Sequence, residues 1–323
     1  MRRGALCLTA TLAAAVAVTG CNTAPEAAEP FGLRPPNPTP TTATTPSPGP
    51  SPTPAKPSPT PVAAELPLGG RTIFPRYRVV AYYGTAGTAA MGVLGEADPD
   101  AILPRLRAAA ARFTTQGRRI QVAYELIVTV ALGGPGADGD YSHTIDLEKV
   151  ERYVEAARRN KVLVVLDVQP GRTDFLTEVK KLRRFLVEPH VGLALDPEWR
   201  VAADQIPGRV IGSVRAAEVN AVSKYVADIV REYRLPEKLF LLHEFRSSMI
   251  PDIGAVQRRL GLAMVQHIDG FGTRSAKDAT FAGLRRPQQF HVGYKLFYDE
   301  DINMYAPRDV LRFRPTPEYI SYQ

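Results

Sequence analysis

Two apolar runs of strand length end alike. Val162–Gln169 carries Asp167 and Gln169 at its tip, and Val191–Asp196 is followed, after Pro197, by Glu198. Side chains alternate along a strand, so residues two apart share a face and lie about 6.5–7 Å apart along the chain. Asp167 is therefore expected beside Gln169, and Asp196 beside Glu198. Carboxyl pairs about 5–5.5 Å apart cleave glycosidic bonds with retention, and pairs about 6.5–9.5 Å apart with inversion. Such chemistry needs one carboxyl kept protonated and another kept ionised. The expected roles are Glu198 as general acid, raised in pKa by burial and by Asp196, with Asp196 or Asp269 as nucleophile or base. A structural alternative stands beside this. Pro197 bars the helical region to Asp196, so that carboxylate also suits a turn.

Other polar residues fall at the ends of the remaining apolar runs. Asp167, Gln169, Arg172, His243 and Arg246 are placed to bind hydroxyls or acidic substituents, and Lys295 joins them at the rim. Trp199, the chain's single tryptophan, and Tyr82, Tyr83 and Phe271 offer apolar faces on which sugar rings stack. Glu125 interrupts an apolar strand, where a lone charge is costly, so it must be paired or protonated. Lys295 is its expected partner by charge type. Two histidine-containing pairs have residue types that bind metals. His243-Glu244 and His267-x-Asp269 end adjacent strands and could ligate zinc or manganese with Asp196, but neither HxH after the first strand nor HExxH occurs. No metal ligand is assigned, no cofactor is expected, and a histidine donating to a neighbouring carboxylate is the preferred role.

The elements that must position these tips alternate between strand and helix. Strands are expected at Arg78–Gly84, Ile120–Leu132, Val162–Gln169, Val191–Asp196, Lys238–Phe245, Leu260–Ile268 and Gln289–Phe297, with an eighth at Arg312–Phe313 or Tyr319–Tyr322. Helices are expected at Asp98–Phe113, Leu147–Arg159, Phe175–Leu186 and Ala216–Tyr233, the first three capped by Asp98, Asp146 and Asp174. Continuous apolar strands in βα alternation predict a parallel sheet covered on both faces. About 250 residues suit one (β/α)8 TIM-like barrel. "YYGTAGTAAMG" lacks the GxGxxG spacing, which argues against an open dinucleotide-binding sheet.

The first seventy residues are of another kind. Arg2 and Arg3 precede an apolar run from Ala5 to Val18, which is too short to span a membrane but right for a signal peptide over residues 1–20. Val18-Thr19-Gly20-Cys21 resembles the lipobox of bacterial lipoproteins, implying cleavage before Cys21 and lipidation of its thiol. Lipid chains contribute about 0.8 kcal/mol per buried methylene, enough in combination to hold the protein on a membrane. Only two cysteines occur, Cys7 and Cys21, so a mature domain would carry no thiol for disulfide, nucleophile or metal site. About half of the 29 prolines fall between Asn22 and Gly70, so residues 21–70 read as an extended Pro/Ser/Thr-rich linker. The barrel is assigned to residues 71–323.

The net charge is +7, with basic residues spread over helices such as "EVKKLRRF" rather than clustered with aromatics, so nucleic acid is not an expected partner. The expected partners are a membrane, through lipid on Cys21, and a cell-wall or extracellular glycan. Oligomeric state is left open.

The text at "AYELIVTVAL", "LVVLDVQPGRTDFLTEV", "EPHVGLALDPEWR", "IGSVRAAEVNAVS" and "FYDED" resembles a group of secreted actinobacterial lipoproteins, over about Phe74 to Gln323. That resemblance implies export and a glycoside hydrolase-like barrel fold; it implies no activity and carries over no catalytic residue. D-x-E at Asp196 and Glu198 is similar to the acid-bearing strand of chitinase-like and lysozyme-like barrel glycosidases, although "LALDPEW" replaces the fuller DGxDxDxE of chitinases. The expectation is a surface-anchored glycoside hydrolase-like protein, lying on the outer face of the membrane and reaching into the wall. The alternative is a non-catalytic wall-binding or assembly lipoprotein on a barrel that has lost its chemistry.

Overall fold

A computed structural model describes residues 63–323. The expected signal peptide, Cys21 and most of the expected linker lie outside the described residues. Eight parallel strands close into a barrel: β1 (Tyr77–Gly84), β2 (Arg119–Ala131), β4 (Leu163–Val168), β5 (Val191–Leu195), β6 (Lys238–Glu244), β7 (Leu262–Ile268), β8 (His291–Leu296) and β9 (Tyr319–Tyr322). The short β3 (Ser142–Thr144) pairs antiparallel with the far end of β2. Pairing of β1 with both β2 and β9 closes the cylinder, which is the α/β TIM-like barrel expected from the βα alternation. The eighth strand is Tyr319–Tyr322; Arg312–Phe313 follows a short helix instead.

Helices α1 (Pro99–Ala111), α2 (Leu147–Asn160), α3 (Phe175–Lys181), α4 (Arg183–Leu186), α5 (Ala216–Glu232), α6 (Arg274–Leu284) and α7 (Pro307–Val310) surround the strands. In α2 the buried Val150, Tyr153, Val154 and Ala157 recur at helical spacing and form one apolar stripe. Asp146 caps its first turn by accepting from the Glu148 amide, and Lys161 ends it in the left-handed region. Asp174 likewise accepts from the Thr177 amide. Asp98 stands at the expected N-cap of α1 but makes no side-chain cap bond, and proline follows it. The single helix expected at Phe175–Leu186 breaks at Leu182, with Leu182, Phe185 and Leu186 all buried.

The wall of the barrel separates two apolar groups. Tyr82, Tyr124, Val164 and Leu242 face outward into the helix layer, whereas Val79, Ala81, Ala123, Val165 and Leu241 face inward. Inward residues of neighbouring parallel strands stand in register: Tyr83 beside Glu125, Ile127 beside Asp167, His243 beside His267, and Lys295 beside Ser321. The inner group also takes in Leu66, only 4% exposed, together with Ile73 and Phe74. These pack with residues at the starts of β1, β4 and β6 and so plug the N-terminal mouth. The barrel therefore begins before residue 71, because the chain supplies this plug from text otherwise assigned to the linker.

Candidate active site

Along most strands the inward positions change from apolar at the plug to polar toward the C-terminal end. This puts the polar side chains in two tiers at the C-terminal end. The upper tier lines an open cleft of about 570 Å³ that includes Tyr83, Gln169, Asp196, Glu198, Trp199, Arg246, Asp269 and Lys295. Eight of the residues expected at a site are thus brought together. A second hollow of similar volume lies at the opposite end, bordered by Arg258, Leu260 and His291. Chemistry in such barrels collects at the carboxyl ends of the strands, which favours the cleft.

The lower tier is buried beneath the cleft. Glu125, Asp167, His243 and His267 are all fully inaccessible. His243 Nδ1 lies 2.9 Å from Asp269 Oδ2, and its Nε2 lies 3.0 Å from Glu125 Oε1 and 3.7 Å from Asp167 Oδ2. Tyr319 donates its hydroxyl to Glu125 Oε2 at 2.9 Å, and Ser321 Oγ lies 3.0 Å from His267 Nε2. Glu125, His243 and His267 present ligand atoms within 4.8 Å of one another and could together hold a metal ion.

Several expectations are corrected by this geometry. Glu125 is paired with two histidines and a tyrosine rather than with Lys295. Lys295 Nζ sits 3.3 Å from the centre of the Tyr83 ring and 4.0 Å from Asp269 Oδ2. Tyr82 points outward, packs edge-on to Tyr298 and Tyr322, and contributes nothing to the cleft. Arg172 lies over the Tyr141 ring at 3.7 Å and donates to the Gln205 carbonyl, away from the cleft lining. Asp167 and His243 sit below the cleft rather than on its wall. Gln169 is on the wall but committed: it accepts from the Ala131 amide and donates to the Tyr83 hydroxyl.

Electrostatics divide the carboxyls. Burial raises Glu198 to about 7, and the charge of Asp269 adds to this; Asp196, the neighbour expected to do so, is itself pushed well above the carboxylate range by burial. Asp196 Oδ1 accepts from the Glu198 amide at 3.3 Å, so this side chain shapes the turn at Pro197–Trp199. Burial works against ionisation of Asp269, but the His243 hydrogen bond and charge, with Lys295, hold it below the usual range. Burial raises Asp167 to about 6. Glu125 meets the same burial, yet His267 and His243 hold it well below the usual range. The cleft thus sets two carboxyls of raised pKa, Glu198 and Asp196, beside one of lowered pKa, Asp269.

The hydroxyls of Tyr319 and Ser321 are not among the expected site groups. Their two-residue spacing in "YISY", one of the two stretches expected for the eighth strand, places both on one face. Phe271 and Phe297 also border the cleft, their rings meeting edge-on at 5.6 Å. The chain matches no model of a known protein family and no curated protein, so its site is interpreted from its own residues.

Proposed function

We propose that the protein hydrolyses a glycosidic bond in a cell-wall or extracellular polysaccharide, with Glu198 as general acid and Asp269 as the opposing carboxylate. The observation that supports this most directly is the presence of both groups in one cleft, with His243 clamping Asp269 from below. Glu198 gives its proton to the departing sugar oxygen as the acetal bond breaks. Asp269 meets the positive charge that develops at the anomeric carbon, and water completes the cleavage. Trp199 and Phe271 supply faces for sugar rings, and Arg246, exposed at the rim, suits an acidic substituent. Asp196, pushed up in pKa by burial and occupied with its turn, is not given the base role.

Export on a lipid at Cys21 and a linker through the wall fit the same proposal, since they would present the cleft to wall polymers. Turnover of wall glycans by wild type, Glu198→Gln and Asp269→Asn is the test. Each variant should lose about 10²–10⁴-fold in kcat. Undiminished turnover by Glu198→Gln removes the acid assignment. Binding without any turnover, abolished by Trp199→Ala, favours the wall-binding alternative.

A further inference from the structure

Below the cleft floor, three side-chain atoms face one another with no hydrogen-bond partner: Glu125 Oε1, His243 Nε2 and His267 Nδ1. All three residues are fully buried, where polar atoms are nearly always satisfied. Glu125 Oε1 lies 3.0 Å from His243 Nε2 and 3.6 Å from His267 Nδ1. Donors around a tetrahedral zinc ion, with bonds of about 2.0–2.2 Å, stand about 3.3–3.6 Å apart. The two separations from Glu125 fall close to that value.

All three residues are held from behind. Asp269 Oδ2 holds His243 Nδ1 at 2.9 Å, Ser321 Oγ holds His267 Nε2 at 3.0 Å, and Tyr319 holds Glu125 Oε2 at 2.9 Å. A metal-binding histidine has its other nitrogen anchored in this way, which fixes the tautomer and aims the free lone pair inward. Gly293 preserves the space: a Cβ there would fall 2.9 Å from His267 Cδ2. We propose that Glu125, His243 and His267 bind one divalent transition-metal ion, zinc by the chemistry of its donors, inside the barrel. Two imidazoles and one carboxylate suit zinc, leaving a fourth tetrahedral position for water. The ion closes the barrel floor and, through His243, sets the orientation of Asp269. None of its three ligands lines the cleft, so the outcome of the metal measurement is distinguishable from that of the glycan assay.

The untagged full-length chain, purified in detergent, is stripped with a chelator and given zinc or cobalt(II) alone. The expected result is about one equivalent of zinc by elemental mass spectrometry and a raised melting temperature on zinc addition. Cobalt should give the intense visible bands of a tetrahedral ion without a sulfur charge-transfer band, which separates this site from the Cys21 thiol. Glu125→Gln and His267→Gln should weaken zinc binding at least about 100-fold. Wild type that holds no stoichiometric metal, or that gives a sulfur-ligated or octahedral cobalt spectrum, overturns the proposal whether or not the variants fold. So does unaltered binding by a folded Glu125→Gln protein.

Discussion

His243 Nδ1 lies 2.9 Å from Asp269 Oδ2, across the boundary between the buried tier and the open cleft. One partner comes from within β6 and the other from just beyond the end of β7, so the contact exists only because those strands are neighbours with His243 beside His267. His243 acts on the cleft without touching its contents. It is a positioning residue: it fixes the rotamer of Asp269 and favours its ionised form.

Replacement of His243 by Gln should therefore lower kcat more than it raises KM. A loss of about 10²-fold in kcat is expected, the scale produced by small misplacements of a reacting group. Steady-state kinetics on a cleaved glycan check it; a change confined to KM would show that His243 contacts substrate instead.

Activity should have a basic limb near pH 7. Burial and the Asp269 charge hold Glu198 at about 7, and a general acid works only while protonated. Above that pH, kcat/KM should fall about tenfold per unit. A profile flat to about pH 9 would dissociate Glu198 from the proton transfer.

The same shift has a cost in stability. Glu198 ionises near 4.5 when unfolded and near 7 when folded, so rising pH favours the unfolded chain between those values. Below about pH 4 both states are protonated and the penalty vanishes. Glu198→Gln should thus be more stable than wild type at about pH 8, on the order of 2 kcal/mol after allowance for partial exposure, and no more stable at about pH 4. Thermal melts of both proteins at the two pH values measure this.

Lys277 of α6 should matter to the cleft wall from behind. Its Nζ reaches Asp301 Oδ1 at 2.9 Å and Oδ2 at 2.8 Å, and Asp301 also accepts from the Phe297 and Gly272 amides. This buried pair ties the segments carrying Phe271 and Phe297 together. Lys277→Met leaves Asp301 uncompensated and should cost about 3–5 kcal/mol in chemical denaturation. Adding Asp301→Asn should restore part of it; an additive further loss would mean that the two groups are not a pair.

The barrel was legible because strands buried on both faces must be apolar throughout, and their polar tips stood out against that text. Tyr319–Tyr322 was ambiguous because four residues carry too little periodicity to separate a strand from a tail. Glu125 announced itself as a charge in an apolar run, yet its partners did not. Lys295 has the complementary charge, but strand register points it at Tyr83 and Asp269, while Glu125 meets residues of β6, β7 and β9.

The chain's own text determines the alternation of strand and helix, the apolar inner wall and the presence of acidic tips, since each follows from local spacing and burial. Parity and register were decided by the closed cylinder. A shift of one position separates Tyr83 in the cleft from Tyr82 in the helix layer, and no property of either residue distinguishes them. The same closure raises the pKa of Glu198, lowers that of Asp269 and sets Glu125 against two histidines, because burial and neighbouring charge are properties of where a carboxyl ends up in space, not of its place in the sequence.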